Sequence, residues 1–261
     1  MTTLVLPVAS LCWREVIRFC RQRSRLTGAL LQPLVFWILL GAGFSASFHP
    51  PGTPDGMAYG QYFYPGIIAM VILFTAIFST ISVVDDRQHG FLQGVLVAPI
   101  SRATIILGQA LGGTTLALAQ ALLFLVLAPL AGISLTAASI VRVGVVAIVV
   151  AFGLVNLGLF IAWRLDSTQG FHAIMNLILL PMWFLSGALF PATKTPIIVE
   201  WIMRVNPLTY GVAAIRHSLY LGNPEAAGQV PPLSLSLVVI LGFAVVSFIA
   251  ATWMASRKEL P

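Results

Sequence analysis

Apolar positions fill long windows of this chain, and its ionisable residues are confined to the gaps between them. Asp55 is the only formal charge from residue 26 to 84, and none occurs from 103 to 141, 143 to 163, 170 to 193 or 226 to 256. A helix crossing roughly 30 Å of hydrocarbon needs about 20 apolar residues. The pattern therefore predicts an all-α polytopic membrane protein with six transmembrane helices, near residues 28–48, 62–84, 103–130, 141–163, 170–190 and 232–256. The chain is 59% hydrophobic and 8% charged, with mean hydropathy +0.97. Soluble domains carry about a quarter charged residues, so none of ordinary size fits in the gaps. With no fixed-period repeat and no low-complexity linker, residues 1–261 read as one membrane domain.

An even number of spans puts both termini on one side. A cytoplasmic placement leaves Arg14, Arg18, Arg21, Arg23, Arg25, Arg87, Arg102, Arg164, Arg257 and Lys258 inside, against Arg142, Lys194, Arg204 and Arg216 outside. That is the positive-inside bias, and it accounts for the net charge of +6 without nucleic acid. Cys12 and Cys20 are too far apart on one helix, about 12 Å, to form a disulfide. They read as free thiols on a reducing side. No cleavable signal is recognised at the N-terminus.

Four segments lie outside the spans. In residues 10–25, Arg14, Arg18, Arg21 and Arg25 recur at helical steps, with Trp13, Ile17 and Cys20 on another face. This predicts an amphipathic helix along the cytoplasmic membrane surface, or at the least a topology anchor. In the stretch Asp85–Arg102, Phe91, Leu92, Val95 and Leu96 form one apolar stripe on a short helix over 86–98. Pro99 stops that helix and Ser101 can cap the next span. The stripe fits either a partner groove or the bilayer surface.

The third segment, 192–225 on the outer side, contains two half-length helices. One starts at Thr195-Pro196, ends at Asn206-Pro207 and pairs Glu200 with Arg204; the second runs over 208–222. Each is too short to span, which predicts a re-entrant or interfacial helical hairpin beside an exit path, or a surface cap. The fourth is the short connection 164–170, which forces the fourth and fifth spans antiparallel. Arg164 and Asp166 there are read as loop solvation, or as touching the same partner as the stripe.

Apart from Arg142 at the edge of the fourth, the spans hold no Asp, Glu, Lys or Arg, the residues a proton- or sodium-driven pump usually keeps there. Gln32, Thr114, Thr115, Gln120, Asn156 and Asn176 read as helix-packing residues. His172 and His217 have no carboxylate at ligand spacing, so neither a catalytic nor a metal site is expected. Asp85-Asp86 reads as a helix-end charge pair. The only lysines are Lys194 and Lys258, so there is no phosphate-cradling loop of the G-x-x-x-x-G-K-[ST] kind.

These motifs together resemble the type-2 permeases of ATP-binding-cassette (ABC) exporters, the drug-resistance, nodulation-factor and polysaccharide-export group, over essentially the whole chain. Residues 86–102, D-R-Q-H-G-F-L-Q-G-V-L-V-A-P-I-S-R, are similar to the family's coupling segment, E-R-E-x-G-T-L-E followed by L-L-x-A-P-[IV]-S-R. Residues 183–191, W-F-L-S-G-A-L-F-P, resemble the end of its fifth span. Residues 206–216, N-P-L-T-Y-G-V-A-A-I-R, match its outer-hairpin signature N-P-L-T-Y-x-x-x-x-x-R, and the arginine-striped helix resembles its interface helix. The chain departs from the pattern in having Asp86 for the first Glu and Gln88 and Gln93 where acids are frequent.

The resemblance implies a non-enzymatic permease subunit in a bacterial plasma (inner) membrane, working as a homodimer with two nucleotide-binding ATPase subunits. ATP and magnesium would be bound by those partners and no cofactor by this chain. Its cargo would be lipid-like, amphipathic or glycan-linked. It implies ATPase coupling by Asp86, Arg87, Gly90, Phe91, Leu92, Val95, Leu96 and Pro99, and an interfacial role for Trp13, Arg14, Arg18, Arg21 and Arg25. It further implies a hairpin role for Glu200, Arg204, Asn206, Pro207, Tyr210 and Arg216. The competing readings are a secondary transporter, which would want buried charges or broken midplane helices, and a permease of the same fold in uptake or assembly.

Overall fold

The computed structural model describes residues 2–44, 57–191 and 195–257. Every regular element among them is helical: α1 (Thr2–Arg21), α2 (Arg23–Phe44), α3 (Tyr59–Ser79), α4 (Ile81–Gln88), α5 (Phe91–Val97), α6 (Arg102–Leu125), α7 (Ala137–Ala162), α8 (Thr168–Phe184), α9 (Ile197–Val205), α10 (Pro207–Leu219) and α11 (Leu233–Arg257). Single 3-10 turns lie at Ala128–Ala131 and Pro224–Ala227.

Among the described residues, four helices are long and apolar enough to cross a membrane: Tyr59–Gln88, where α3 runs on into α4, and α6, α7 and α11. At the joint of α3 and α4 the hydroxyls of Ser79 and Thr80 donate back to the carbonyls of Ala76 and Ile77, the side-chain bonding that commonly bends helices. The second span is thereby carried to Gln88, so Asp85 and Asp86 ride on its extension. The two remaining expected spans differ. The apolar part of α2 covers Leu30–Phe44, and the expected continuation over 45–48 lies outside the described residues. α8 has 17 residues and ends at Phe184, six short of the expected boundary. At about 26 Å it falls short of the hydrocarbon thickness. Leu185–Phe190 is a turn with Gly187 at φ 77°.

α3 is the hub. It is buried along almost its whole length and is packed by α2, α6, α7, α8 and α10. The outside of the bundle is apolar: Val141 and Val145 on α7 and Val238, Val245, Val246 and Ile249 on α11 are exposed, as a surface whose solvent is lipid requires. The long helices start where their caps allow. Ser101 Oγ accepts from Thr104 N at the head of α6, and Thr136 and Ser139 form a capping box that begins α7 four residues before the expected boundary.

α1 lies along α6, and the approach is close because Gly108 and Gly112 present no side chain. A Cβ on Gly108 would stand 2.8 Å from Leu11 Cβ, and one on Gly112 2.7 Å from Glu15 Cβ. Spacing by four puts both glycines on one stripe of α6, the small-residue packing typical of membrane helices. The expected helix over 10–25 is therefore corrected. It begins at Thr2, breaks at Gln22 and rests on protein, with Trp13 and Arg21 exposed. The side chain of Arg25 lies outside the described residues.

Candidate functional site

The C-terminal end of α4 reads Asp85-Asp86-Arg87-Gln88. At 100° per residue, four consecutive side chains leave a helix in all directions, with the two acids on one half and Arg87 and Gln88 on the other. The acids meet α1. Arg14 binds Asp86 as a fork, Nη1 to Oδ2 and Nη2 to Oδ1, both at 2.7 Å. Arg18 donates from Nη1 to Asp86 Oδ1 at 2.8 Å and from Nη2 to Asp85 Oδ2 at 2.9 Å. Such bidentate charge-assisted bonds are the strong class. Asp86 is only 5% exposed, so its charge is compensated by these two arginines rather than by water.

Glu15 is buried in the same cluster. Burial pushes its carboxyl above the usual range and the Asp86 charge adds to this, while a hydrogen bond from Ser82 and the charges of Arg18 and Arg14 oppose it. Three acids, Glu15, Asp85 and Asp86, thus face two arginines. Arg14 is held charged, chiefly by its hydrogen bond to Asp86.

Arg87 turns the other way. It donates to Leu165 O at 2.8 Å, Asp166 Oδ1 at 3.0 Å and Trp163 O at 3.1 Å, and Gln88 Nε2 donates to Asp166 O at 2.9 Å. Carbonyls beyond a helix end have no intrahelical donor, and Arg87 supplies donors just past α7. Asp166 is thus tied to α4, whereas Arg164 is exposed over the Phe160 ring.

Beyond α4 the expected single helix over 86–98 is split. Gly90 sits at φ 75°, a left-handed conformation that glycine adopts without Cβ strain, and the helix restarts as α5 at Phe91. The apolar stripe is divided too. Leu92 is 1% exposed and belongs to the core, Val95 is partly buried, and the Leu96 side chain lies outside the described residues. Phe91 is half-exposed beneath the Arg14 guanidinium, 3.8 Å from the ring centroid. The exposed face is instead Gln88, His89, Gly90, Gln93, Gly94 and Val97, the last 85% exposed, with Pro99 exposed beyond it.

At the far end of the bundle, the fifth-span motif and the outer-hairpin motif form one contact. α8 stops inside the fold, which leaves its last carbonyls without helical donors. α10 supplies them. Asn206 Nδ2 donates to Met182 O at 2.6 Å and Leu185 O at 3.0 Å, Thr209 Oγ1 to Leu185 O at 3.4 Å, and Arg216 Nη2 to Gly187 O at 3.4 Å. From α3, Tyr59 Oη donates to Leu189 O at 3.0 Å, while Trp183 Nε1 of α8 donates to Gly66 O at 2.8 Å. Asn206 also caps α10, its side chain accepting from Leu208 N at 3.0 Å, with Pro207 in the first turn where its missing N–H costs nothing.

Arg216 is corrected from an outer-loop charge to a fully buried one. It stands 4.0 Å from the centroid of the Tyr62 ring, a cation–π contact that follows from α10 packing against α3, α7 and α11. α9 stays at the surface. Glu200 and Arg204 pair at 2.6 Å, Tyr210 Oη donates to Arg204 O, and Ile197, Ile198, Trp201, Ile202 and Val205 are exposed. Two apolar grooves open nearby. One of about 540 Å³ lies between α8 and α9, lined by Pro181, Met182, Trp201 and Ile202; another of about 390 Å³ is lined by Phe36, Phe44, Tyr59, Phe184 and Phe190.

The partners that sequence reasoning missed are Glu15, Asp85, Tyr62 and the carbonyls of residues 163–165 and 182–189. A signal existed for the last group. Positions 206, 209 and 216 fall within about 80° of each other on a helical wheel, so these three polar residues share one face of α10.

Residues 8–220 match the model of the ABC-2 type transporter family. The chain is 29% identical to the transport permease ycf38 of Cyanophora paradoxa, over 90% of this chain and 84% of that protein. It is 26% identical to nodulation protein J of Rhizobium leguminosarum bv. viciae over 99% of both, and 28% identical to nodulation protein J of R. leguminosarum bv. trifolii over 90% and 91%. With the family match spanning most of an all-helical, membrane-crossing bundle, this chain belongs to the ABC-2 type transporter family and is a membrane permease of that kind.

Proposed function

We propose that the chain is the membrane subunit of an ATP-driven exporter, acting as a pair of identical copies with two ATPase subunits supplied by another chain. It spans a bacterial plasma membrane six times, with α2 and α8 as the first and fifth spans and both termini in the cytoplasm. The observation that carries this reading is the face around α5. Seven residues of helix stand at one end of the bundle, showing Gln93, Gly94 and a nearly bare Val97 to solvent, while the chain itself has no phosphate-binding loop. ATP and its magnesium belong to the partner. ATPase closure presses on α5 and rocks the spans, and α9 and α10 form the outer side of the path. A lipid-like, amphipathic or glycan-linked cargo suits spans without charge and grooves lined by aromatic and aliphatic side chains.

The test is purification of the tagged chain from its own membranes, with mass spectrometry of retained proteins and lipids. The expected result is a retained chain bearing a phosphate-binding loop, ATP hydrolysis only in that complex, and loss of that partner from Val97→Asp with the permease still folded. Robust hydrolysis by the isolated chain sinks the proposal.

A further inference from the structure

α5 has only seven residues, and a push on so short an element moves the spans only if it is tied to longer ones. Its ties lie at its N-terminal side. Phe91, its first residue, sits under Arg14, and Arg14 and Arg18 hold Asp86. That arm reaches α1, which lies along α6. Arg87 takes acceptors from Trp163, Leu165 and Asp166, one residue before Ser167 caps α8. This second arm reaches α8, whose other end is held by Asn206, Thr209 and Arg216 of α10.

These residues are poorly placed to touch a partner. Asp86 is 5% exposed and its carboxylate already receives three guanidinium bonds. The Arg87 side chain is 15% exposed and fills three acceptors of its own chain. Resting on the exporter reading above, we infer that Asp86 and Arg87 are positioning residues that divide the motion of α5 between α1 and α8, and are not contacts for the ATPase. The residues that meet the partner are the outward ones, Gln93, Gly94 and Val97.

The experiment uses the complete complex in vesicles, in a background with Cys12→Ser and Cys20→Ser and with Glu225→Cys as a reporter on the exposed turn after α10. The rate of labelling by a membrane-impermeant maleimide is measured without nucleotide and with ATP plus vanadate. Couplings between distant sites are typically about 5- to 150-fold, and the parent ratio of the two rates should fall in that range. Arg87→Ala and Asp86→Asn should keep the ATPase bound and hydrolysing while the ratio collapses toward one. Arg87→Lys, which retains the charge but not the fork, should keep part of it. Gln88→Ala removes one bond from an exposed residue and leaves the fold intact, and it should lower the ratio in smaller measure.

Loss of the ATPase from folded Asp86→Asn and Arg87→Ala permeases overturns the inference, because those side chains then dock the partner. So does a parent-like ratio in Arg87→Ala, or in Gln88→Ala where the other two fail to fold. Failure of the exporter reading shows elsewhere, as a parent complex with no response to ATP.

Discussion

Replacing Asn206 by alanine removes three hydrogen bonds at once: the cap that accepts from Leu208 N, and the two donations to Met182 O and Leu185 O. Loss of an N-cap costs typically about 1 kcal/mol. Leu185 O keeps the longer bond from Thr209, but Met182 O is left unpaired, which costs about 1–3 kcal/mol in soluble proteins, although side-chain hydrogen bonds in membrane helices average about 0.6 kcal/mol. Asn206 is 8% exposed, so water offers little replacement. A cost of at least about 2 kcal/mol is expected, reaching several if the Met182 carbonyl stays dry. Equilibrium unfolding in mixed micelles with a rising fraction of denaturing detergent measures it. Serine and aspartate separate the two roles, since both cap helices but neither carries the amide N–H pair that reaches the α8 carbonyls. Asn206→Ser should therefore recover little more than the cap, and Asn206→Asp, which sets a carboxylate against two carbonyls, should be no better than alanine. Pro207→Ala should cost no more than about 1 kcal/mol, through the unfolded chain alone, because the position needs no N–H. A cost for Asn206→Ala no larger than that of a cap, or full recovery by Asn206→Ser, refutes the bridging role.

Leu92→Asp places a carboxylate at a site 1% exposed in the core and should lower folded yield by several kcal/mol of stability, with partner loss only as a consequence; well-folded Leu92→Asp would mean that the site opens to water. Glu15 supplies a pH test. Its carboxyl titrates above its ordinary value of 4.5 because it is buried, so the folded state holds a proton that the unfolded chain has released. That contribution is complete below the ordinary value and is lost as pH rises through the raised one. Thermal melts across this window should show wild type falling relative to Glu15→Gln, and parallel curves would rule out a buried Glu15.

Charge spacing made four of the six expected spans legible. Pro196 and Asn206-Pro207 announce helix ends through local backbone chemistry, and α9 and α10 begin where those residues put them. What periodicity cannot carry is the identity of the surface a helix face meets. Arg14 and Arg18 repeat as they would over lipid headgroups, yet their partners lie 67 to 72 positions away, beyond any local pattern. The same gap hid Leu92, since a stripe at helical spacing looks alike whether it faces a partner, a bilayer or its own core.

The two signatures read separately, W-F-L-S-G at the end of α8 and N-P-L-T-Y at the start of α10, illustrate why such distant pairs are needed in a bilayer. A helix that stops within a membrane protein strands carbonyls that no solvent will pair. Two remedies are open: extending the helix, or bringing donors from elsewhere in the chain. This chain takes the second, with an amide, a hydroxyl and a guanidinium on one face of α10. At the opposite end Arg87 does the same for the carbonyls that follow α7. α8 is thereby fixed at both ends by side chains rather than by continuous helix, and side-chain bonds can be exchanged without unfolding a span. An element held in that manner is suited to shift between two arrangements, which a permease must have and a continuous helix resists.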